Sequence, residues 1–165
     1  MTKKIIGVFG PGNVSEADDE WQAAASVGQQ LARRDCVVLT GGLGGIMTAA
    51  SKGAREAGGI TIGILPGTRK SSPANSYVDI PVFTGMGEAR NAINVKSCDA
   101  AIAIGGEYGT LSEIALALKA GCPIVLFNSW SLTPFGGRGL PGPLIASSPE
   151  EAVAMALTAA ANEKF

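Results

Sequence analysis

Short apolar runs alternate with longer amphipathic stretches along almost the whole chain. Apolar runs of this length, bounded by Gly, Pro and polar residues, are typical of buried β-strands. The predicted strands are Ile5–Phe9, Cys36–Leu39, Ile60–Leu65, Val78–Val82, Ala100–Ile104 and Pro123–Phe127. The predicted helices are Ala17–Arg34, Ile46–Ala57, Glu88–Ser97, Thr110–Ala120 and Pro149–Ala161. Strands that are apolar at nearly every position, with helices between them, favour a parallel sheet covered on both faces.

This alternation predicts an α/β protein. Because right-handed crossovers lay helices on both faces of such a sheet, we expect a single Rossmann-like, doubly wound parallel sheet. The length of 165 residues is that of one domain, so we assign residues 1–165 to a single Rossmann-like domain. The segments Pro66–Tyr77 and Asn128–Ser147 are rich in Gly, Pro and Ser, and they are predicted to be loops.

Two turns in this pattern follow the same plan, in VVLTGGLGGIMTAASKGAREAGGITIGIL and in AIAIGGEYGTLSEIALALKAGCPIVLF. Each is a strand, then GGxxG, then a helix, then Gly and a further strand. Glycine has no Cβ, so a ligand can approach the backbone closely. The helix start behind the turn offers free N–H groups and a positive dipole end, which together favour anions. We therefore expect both turns to bind the oxygens of one small anionic ligand; a tight strand-to-helix connection without a ligand is the alternative.

The candidate ligand contacts are the glycines of these turns and basic residues near the same edge of the sheet. They are Gly10, Gly12, Gly41, Gly42, Gly44, Gly45, Arg69, Lys70, Arg90, Gly105, Gly106, Gly109 and Thr110. Arg90 belongs to a predicted helix and has the polar neighbours Asn91 and Asn94. Arg138, in PFGGRGLPG, is a weaker basic candidate. A solvated surface position is the alternative for each of these basic residues.

Several kinds of chemistry are excluded by what the sequence lacks. It has no histidine, so it has no Ser-His-Asp triad, no Cys-His pair and no imidazole base. It has neither GxGxxG nor GxxxxGK[ST], which disfavours a Rossmann dehydrogenase and a P-loop NTPase. We expect no catalytic metal. Any reaction therefore depends on carboxylates, arginine, backbone amides or the ligand itself.

Charge and cysteine content restrict the partners. The 13 basic and 14 acidic residues give a net charge of −1, so we expect no nucleic-acid partner. No apolar stretch approaches about 18 residues, so we expect no membrane partner either. The three cysteines, Cys36, Cys98 and Cys122, form no CxxC pair. This usage is typical of reduced thiols in a cytoplasmic protein.

Glu113 has two possible roles. It stands three residues after Thr110 in Thr-Leu-Ser-Glu, the pattern of a capping box at a helix start. In that interpretation its carboxylate only satisfies a free backbone N–H. Because the same turn opens on the predicted anion site, the alternative is that Glu113 acts on the ligand.

The chain resembles the LOG-type superfamily, once labelled lysine decarboxylase-like, over nearly its whole length. The resemblance is clearest in TGGLGGIMTAASKGAREAGG, GMGEAR and IGGEYGTLSE. Enzymes of this superfamily carry PGGxGTxxE and an upstream arginine, and they hydrolyse cytokinin nucleoside 5'-monophosphates to a free base and ribose 5-phosphate. The resemblance implies that Arg90 and Glu113 occupy the two catalytic positions. Two departures are Gly105-Gly106-Glu107 in place of Pro-Gly-Gly, and the missing lysine and histidine around Arg90.

A sister group is more similar. GGEYGTLSEIALALKAGCPIVLF and the Gly- and Pro-rich segment after it resemble the molybdenum cofactor carrier proteins and their bacterial relatives. That resemblance implies a homo-oligomer, dimer or tetramer, which carries the molybdenum cofactor on its glycine-rich loops. The cofactor has a pterin, a terminal phosphate and an oxyanionic metal centre. Three hypotheses stay open: a carrier of molybdopterin, a LOG-type phosphoribohydrolase, and a nucleotide-sensing module without turnover.

Overall fold

A computed structural model describes residues 2–137 and 139–162 of the chain. In these ranges the strands are β1 (Ile5–Phe9), β2 (Val37–Thr40), β3 (Ile60–Leu65), β4 (Ile80–Phe83), β5 (Ala100–Ile104), β6 (Ile124–Phe127) and β7 (Leu144–Ala146). The α-helices are α1 (Asp19–Arg33), α2 (Ile46–Glu56), α3 (Arg90–Lys96), α4 (Tyr108–Ala120) and α5 (Pro149–Asn162). The elements alternate along the chain as the hydrophobic pattern predicts.

The strands form one sheet in the order β4-β3-β2-β1-β5-β6-β7, and each neighbouring pair is parallel. The strands β2 to β4 therefore lie on one side of β1, and β5 to β7 lie on the other. The winding direction reverses between β1 and β5. In a doubly wound sheet, ligands bind outside the carboxyl ends of the strands at such a reversal. The predicted Rossmann-like α/β class is confirmed, and the topology indicates where its site belongs.

Helices cover both faces of the sheet. One layer packs α1, α2 and α5 against alternate strand residues, such as Ile102 and Ile104 of β5. The other layer packs α3 and α4 against the residues between them, such as Ala101 and Ala103. All four of these β5 residues are fully buried. Burying an Ile side chain of this kind contributes about 1.5–3 kcal/mol, so the central strands hold the site on a rigid frame.

The loop prediction over Asn128–Ser147 is wrong at its end. Residues 144–146 form β7, which pairs with β6 through Val125 and Leu144. This strand has only three residues, and Leu144 and Ile145 are exposed at the edge of the sheet. A short edge strand among glycines and prolines has no alternation that a pattern can detect.

Predicted and observed ends differ by one or two residues at most other elements, and β1, β3 and β5 agree in full. Helix α1 begins at Asp19 and not at Ala17, because Asp18 closes a turn by accepting a hydrogen bond of 2.7 Å from the Ser15 N–H. The predicted helix Glu88–Ser97 is shorter as an α-helix, since its first turn is a 3₁₀-helix over Gly87–Ala89.

Among the helices of the described ranges, none has the length and apolar character that a membrane crossing needs.

Candidate functional site

A cleft of about 250 Å³ opens at the carboxyl ends of β1 and β5, where the winding reverses. We call it the central cleft. Both glycine turns reach it, together with the loop that follows β1. The predicted site residues that line it are Gly10, Gly12, Gly41, Arg90, Gly109, Thr110 and Glu113. The two matched turns therefore meet at one cavity and do not face opposite sides of the molecule.

Arg90, the first residue of α3, contributes a buried positive charge to the central cleft. Only 9% of the residue is exposed, and its Nη1 donates a hydrogen bond of 2.9 Å to the Ile64 carbonyl at the end of β3. Its Nε is buried without a hydrogen-bond partner among the described residues. In the same part of the chain, no carboxylate oxygen lies within 4.0 Å of this guanidinium. A buried cation with so few partners favours an anion beside it.

Gly41 leaves the room that this guanidinium occupies. A Cβ at Gly41 would lie 2.4 Å from Arg90 Nη1 and 2.7 Å from the sulfur of Met47. A side chain there would force the guanidinium and the end of Met47 to shift. Burial lowers the pKa of Arg90, while the carboxylates of Glu113 and Glu88 oppose that effect. An arginine side chain stays protonated in proteins even when it is buried, so Arg90 keeps its positive charge in the cleft.

Glu113 lies on α4 and is also buried, with 8% of the residue exposed. Burial raises its pKa to about 7, while a hydrogen bond from Asn94 and the charge of Arg90 act in the opposite direction. Asn94 Nδ2 donates this bond to Glu113 Oε1 over 2.9 Å. A carboxyl group with a pKa near neutrality exchanges its proton readily at the pH of the cell, which is a property of acid–base groups in functional sites.

The capping-box interpretation of Glu113 is wrong. Helix α4 begins at Tyr108 and not at Thr110, and its N-cap residue, Glu107, receives no side-chain cap. Because the helix starts two residues earlier than predicted, Glu113 lies in its second turn, where no backbone N–H is left free. Its carboxylate bonds the side chain of Asn94 on α3 instead.

Glu107 forms a polar bridge across the mouth of the central cleft. Asn13 Nδ2, from the loop after β1, donates a hydrogen bond of 2.8 Å to Glu107 Oε1. Glu88 and Glu107 line the cleft together with Glu113, so its wall contains three carboxyl groups and one guanidinium. A ligand that fits this wall carries negative oxygens for Arg90 and for the start of α4, and N–H donors for the carboxylates.

Five predicted glycines do not line the central cleft. For three of them, close packing against a neighbour explains why the residue is glycine. A Cβ at Gly42 would lie 2.7 Å from the Leu65 side chain, and one at Gly45 would lie 2.3 Å from the Pro11 carbonyl. A Cβ at Gly106 would lie 2.5 Å from Trp130 Nε1. The remaining two, Gly44 and Gly105, also lie outside the lining. The contact of these five glycines with a ligand stays a prediction.

The other basic candidates lie apart from the cleft lining. Arg69 stacks over the ring of Phe83, with 4.8 Å between its Cζ and the ring centroid. Lys70 is exposed on the same loop. Arg138 lies outside the described residues. Arg90 is thus the one cation of the described chain in the cleft wall.

Sequence reasoning missed four residues of the cleft wall, which are Phe9, Leu43, Met47 and Glu88. For three of them the signal was positional. Phe9 ends a strand, Leu43 lies inside a glycine turn and Met47 lies in the first turn after it, at the ligand edge of the sheet. Glu88 lies in the 3₁₀-helix before α3, where no such signal exists. In the described ranges, no group of three or more Cys, Asp or Glu side chains is placed to hold a metal ion.

These features define a class of protein: a Rossmann-like domain with a glycine-lined cleft at its winding reversal, built around a buried arginine and a buried carboxyl group. The model of the SLOG cluster4 family matches residues 3–153, and the chain belongs to this family. The expected resemblance to the LOG-like superfamily, close to the molybdenum cofactor carriers, is confirmed.

Solved structures of molybdenum cofactor proteins resemble nearly the whole chain. The molybdenum cofactor binding protein of Rippkaea orientalis is 41% identical, with a TM-score of 0.83, over 96% of this chain and 98% of that one. The Moco carrier protein of Chlamydomonas reinhardtii is 39% identical, with a TM-score of 0.85, over 98% of this chain and 100% of that one.

A curated relative has an enzymatic name. The cytokinin riboside 5'-monophosphate phosphoribohydrolase LOG5 of Arabidopsis thaliana is 37% identical over 114 residues. The match covers 67% of this chain and 50% of LOG5. The chain therefore spans about half the length of this relative.

Proposed function

We propose that the protein binds and carries the molybdenum cofactor, with an oxyanionic group of the cofactor beside Arg90 in the central cleft. The observation that carries this proposal is the buried Arg90 guanidinium, which has one hydrogen bond, an unpartnered Nε and no carboxylate within 4.0 Å in the described chain. Similarity to two molybdenum cofactor proteins along almost their full length supports the same ligand.

The residues of the cleft fit such a cargo. A Cβ at Gly109 would meet no heavy atom within 4 Å, so the start of α4 has open space beside it for a phosphate. Arg90 supplies the positive charge on the opposite element, α3. Glu88 and Glu107 are acceptors for the N–H and amino donors that a pterin carries. The cleft thus offers a partner to the anionic end of the ligand, with acceptors for ring donors in its wall and, at Glu107, at its boundary with the next cavity.

The test is retention and protection of the cofactor. The protein is mixed with freshly released cofactor, separated on a gel-filtration column, and the cofactor in the protein fraction is followed as it decays. We expect co-elution and slower decay with the native chain and with an Arg69→Gln control, since Arg69 does not line the cleft. We expect both to be strongly reduced with Arg90→Gln. A native chain that neither retains nor protects the cofactor would contradict the proposal.

A second candidate is a nucleoside 5'-monophosphate phosphoribohydrolase, and the pairing of Arg90 with Glu113 in one cleft favours it. Cleaving an N-glycosidic bond builds positive charge on the sugar, as in glycoside hydrolysis. An ionised Glu113 would stabilise that charge and orient the attacking water. Its pKa of about 7 leaves a substantial ionised fraction at neutral pH.

Release of free base from AMP and from cytokinin riboside monophosphates tests this second candidate. Turnover by the native chain and at least a 100-fold slower rate with Glu113→Gln would support it, since positioned acid–base groups contribute about 10²–10⁴-fold. Equal rates for the two proteins, or no release by the native chain, would contradict it.

Assembly and location complete the proposal. We expect a homo-oligomer, dimer or tetramer, in the cytoplasm. Sedimentation of the purified chain tests the assembly, and a monomeric mass at micromolar concentration would contradict it.

A further inference from the structure

A second cavity adjoins the central cleft at the start of α4. It measures about 470 Å³ and is lined by Gly106, Glu107, Tyr108, Gly109 and Trp130. We call it the aromatic chamber. Glu107 and Gly109 line both cavities, so the two adjoin at the start of α4. The central cleft alone, at about 250 Å³, is below the roughly 300–1,000 Å³ typical of pockets for whole ligands. A ligand of cofactor size therefore extends beyond it, and the chamber is next to it.

Two aromatic rings form the wall of this chamber. Tyr108 and Trp130 have ring centroids 6.0 Å apart and planes inclined by 33°. Tyr108 is 82% exposed, although it is a large ring at the first position of a helix. An exposed, pre-positioned pair of this kind offers a flat π-surface at little entropic cost, which is how proteins hold planar heterocycles.

Polar atoms beside the rings lack partners. Trp130 Nε1 and Ser129 Oγ are both buried and form no hydrogen bond with the described residues. The backbone of Asn128, just before them, has a φ of 45°, a left-handed turn conformation that asparagine tolerates better than most residues. Ser129 and Trp130 also line a neighbouring cavity with Gly106. Unsatisfied donors next to a cavity are typical of sites completed by a ligand.

We propose that Tyr108 and Trp130 form a ring subsite, which stacks the planar, nitrogen-rich bicyclic ring of the ligand whose anionic end lies in the central cleft. This inference rests on the proposed function, because only a ligand with both an anionic end and a planar ring would occupy the two cavities together. The 6.0 Å between the rings leaves no room for a third ring, since stacked rings need roughly 3.5 Å on each side. The heterocycle therefore stacks on the outer face of one ring, and Glu107, which lines the same chamber, accepts hydrogen bonds from its edge.

The test uses rings that carry no phosphate, so that the anion site plays no part. The probes are 6-hydroxymethylpterin and adenosine, titrated by equilibrium dialysis. We expect the native chain to bind at least one of them, and Tyr108→Ala to weaken that binding about 5- to 100-fold through loss of stacking. Tyr108→Phe keeps the ring and is expected to stay within about twofold of the native chain. Because Tyr108 is exposed, its removal leaves the core unchanged.

Arg90→Gln separates this inference from the proposed function. It is expected to bind the intact cofactor about 10- to 100-fold more weakly and to keep ring binding, so a failure of the cofactor assay alone leaves the subsite intact. The stronger of the two probes identifies the ring as a pterin or a purine. Equal ring binding by the native chain and Tyr108→Ala, or no binding of either probe, would overturn the subsite. A lower sedimentation mass for Tyr108→Ala would also overturn it, by assigning the exposed ring to a subunit contact.

Discussion

Asn94 on α3 and Glu113 on α4 are joined by a hydrogen bond of 2.9 Å from the Asn94 amide to the Glu113 carboxylate. Both residues are buried, Asn94 completely. The bond holds the carboxyl group at the floor of the central cleft, between two helices of one layer. Its proton therefore affects both the packing of these helices and the charge that a ligand meets.

The first prediction concerns stability against pH. Burial raises the pKa of Glu113 to about 7 from 4.5, so the folded chain holds this proton more tightly than the unfolded chain does. The contribution of Glu113 to the free energy of unfolding is complete below pH 4.5 and is lost as the pH rises through about 7. The total loss is roughly 3 kcal/mol. Glu113→Gln cannot ionise, so we expect its free energy of unfolding to exceed that of the native chain by up to this amount at pH 8.

Urea unfolding at pH 5 and pH 8 measures the effect. The matched control is Glu56→Gln, since Glu56 is exposed at the far end of α2. The native chain and the control should change by the same amount between the two pH values. If the native chain and Glu113→Gln differ in unfolding free energy by the same amount at both pH values, the assignment is contradicted.

The second prediction concerns what Asn94 does to that proton. The hydrogen bond from the Asn94 side-chain amide lowers the pKa of Glu113, so Asn94→Ala is expected to raise this pKa further. Carbon-13 NMR of the labelled glutamate carboxyl groups follows the titration directly. Asn91→Ala is the control, because Asn91 Nδ2 bonds Ser112 Oγ and not Glu113. An unchanged or lower pKa in Asn94→Ala would contradict the role of the bond.

The third prediction links the same proton to anion affinity. Sulfate is a suitable probe, because its charge does not change between pH 5 and pH 9. As the pH rises through about 7, Glu113 loses its proton and adds a negative charge near Arg90. We expect sulfate affinity to fall about tenfold over this range for a charge of this kind. Glu113→Gln should bind sulfate with nearly constant affinity, and calorimetry that finds parallel curves for the two proteins would refute the link.

The fourth prediction concerns the acid at the cleft mouth. The Glu107 carboxylate lines the central cleft and accepts a hydrogen bond from Asn13. Glu107→Gln removes its negative charge, so we expect sulfate to bind about 2- to 5-fold more tightly at low ionic strength. The gain should shrink in about 0.5 M sodium chloride because salt screens exposed charges. Unchanged or weaker sulfate binding in this variant would contradict the repulsion between Glu107 and the anion, since glutamine keeps an oxygen that accepts the Asn13 hydrogen bond.

Much of the fold was predictable because buried parallel strands are apolar along their length. The runs Ile5–Phe9 and Ala100–Ile104 are the central strands β1 and β5, and both have the bounds that the pattern predicts. The edge strand β7 was not predictable, since its three residues are partly exposed and have no pattern of their own. The order of the strands in the sheet depends on how the crossover connections wind and not on any single residue.

The site was predictable in part. The matched glycine turns and Arg90 pointed to one ligand edge, and the fold brings Gly41, Arg90 and Gly109 into one cleft. The state of Glu113 was not predictable from spacing. The sequence Thr-Leu-Ser-Glu is compatible with a capping box and with a buried acid. Only the start of the helix at Tyr108 distinguishes the two roles. The pairing of Tyr108 with Trp130 joins residues far apart in the chain, and no local signal indicates such a contact.

The most direct test of the account is the dissociation constant for the intact molybdenum cofactor, measured by anaerobic equilibrium dialysis. The native chain and Arg69→Gln should bind with equal affinity, and Arg90→Gln should bind about 10- to 100-fold more weakly, as expected for the loss of a charge-assisted hydrogen bond. Equal affinities for all three proteins would contradict the claim that Arg90 and the central cleft hold the ligand.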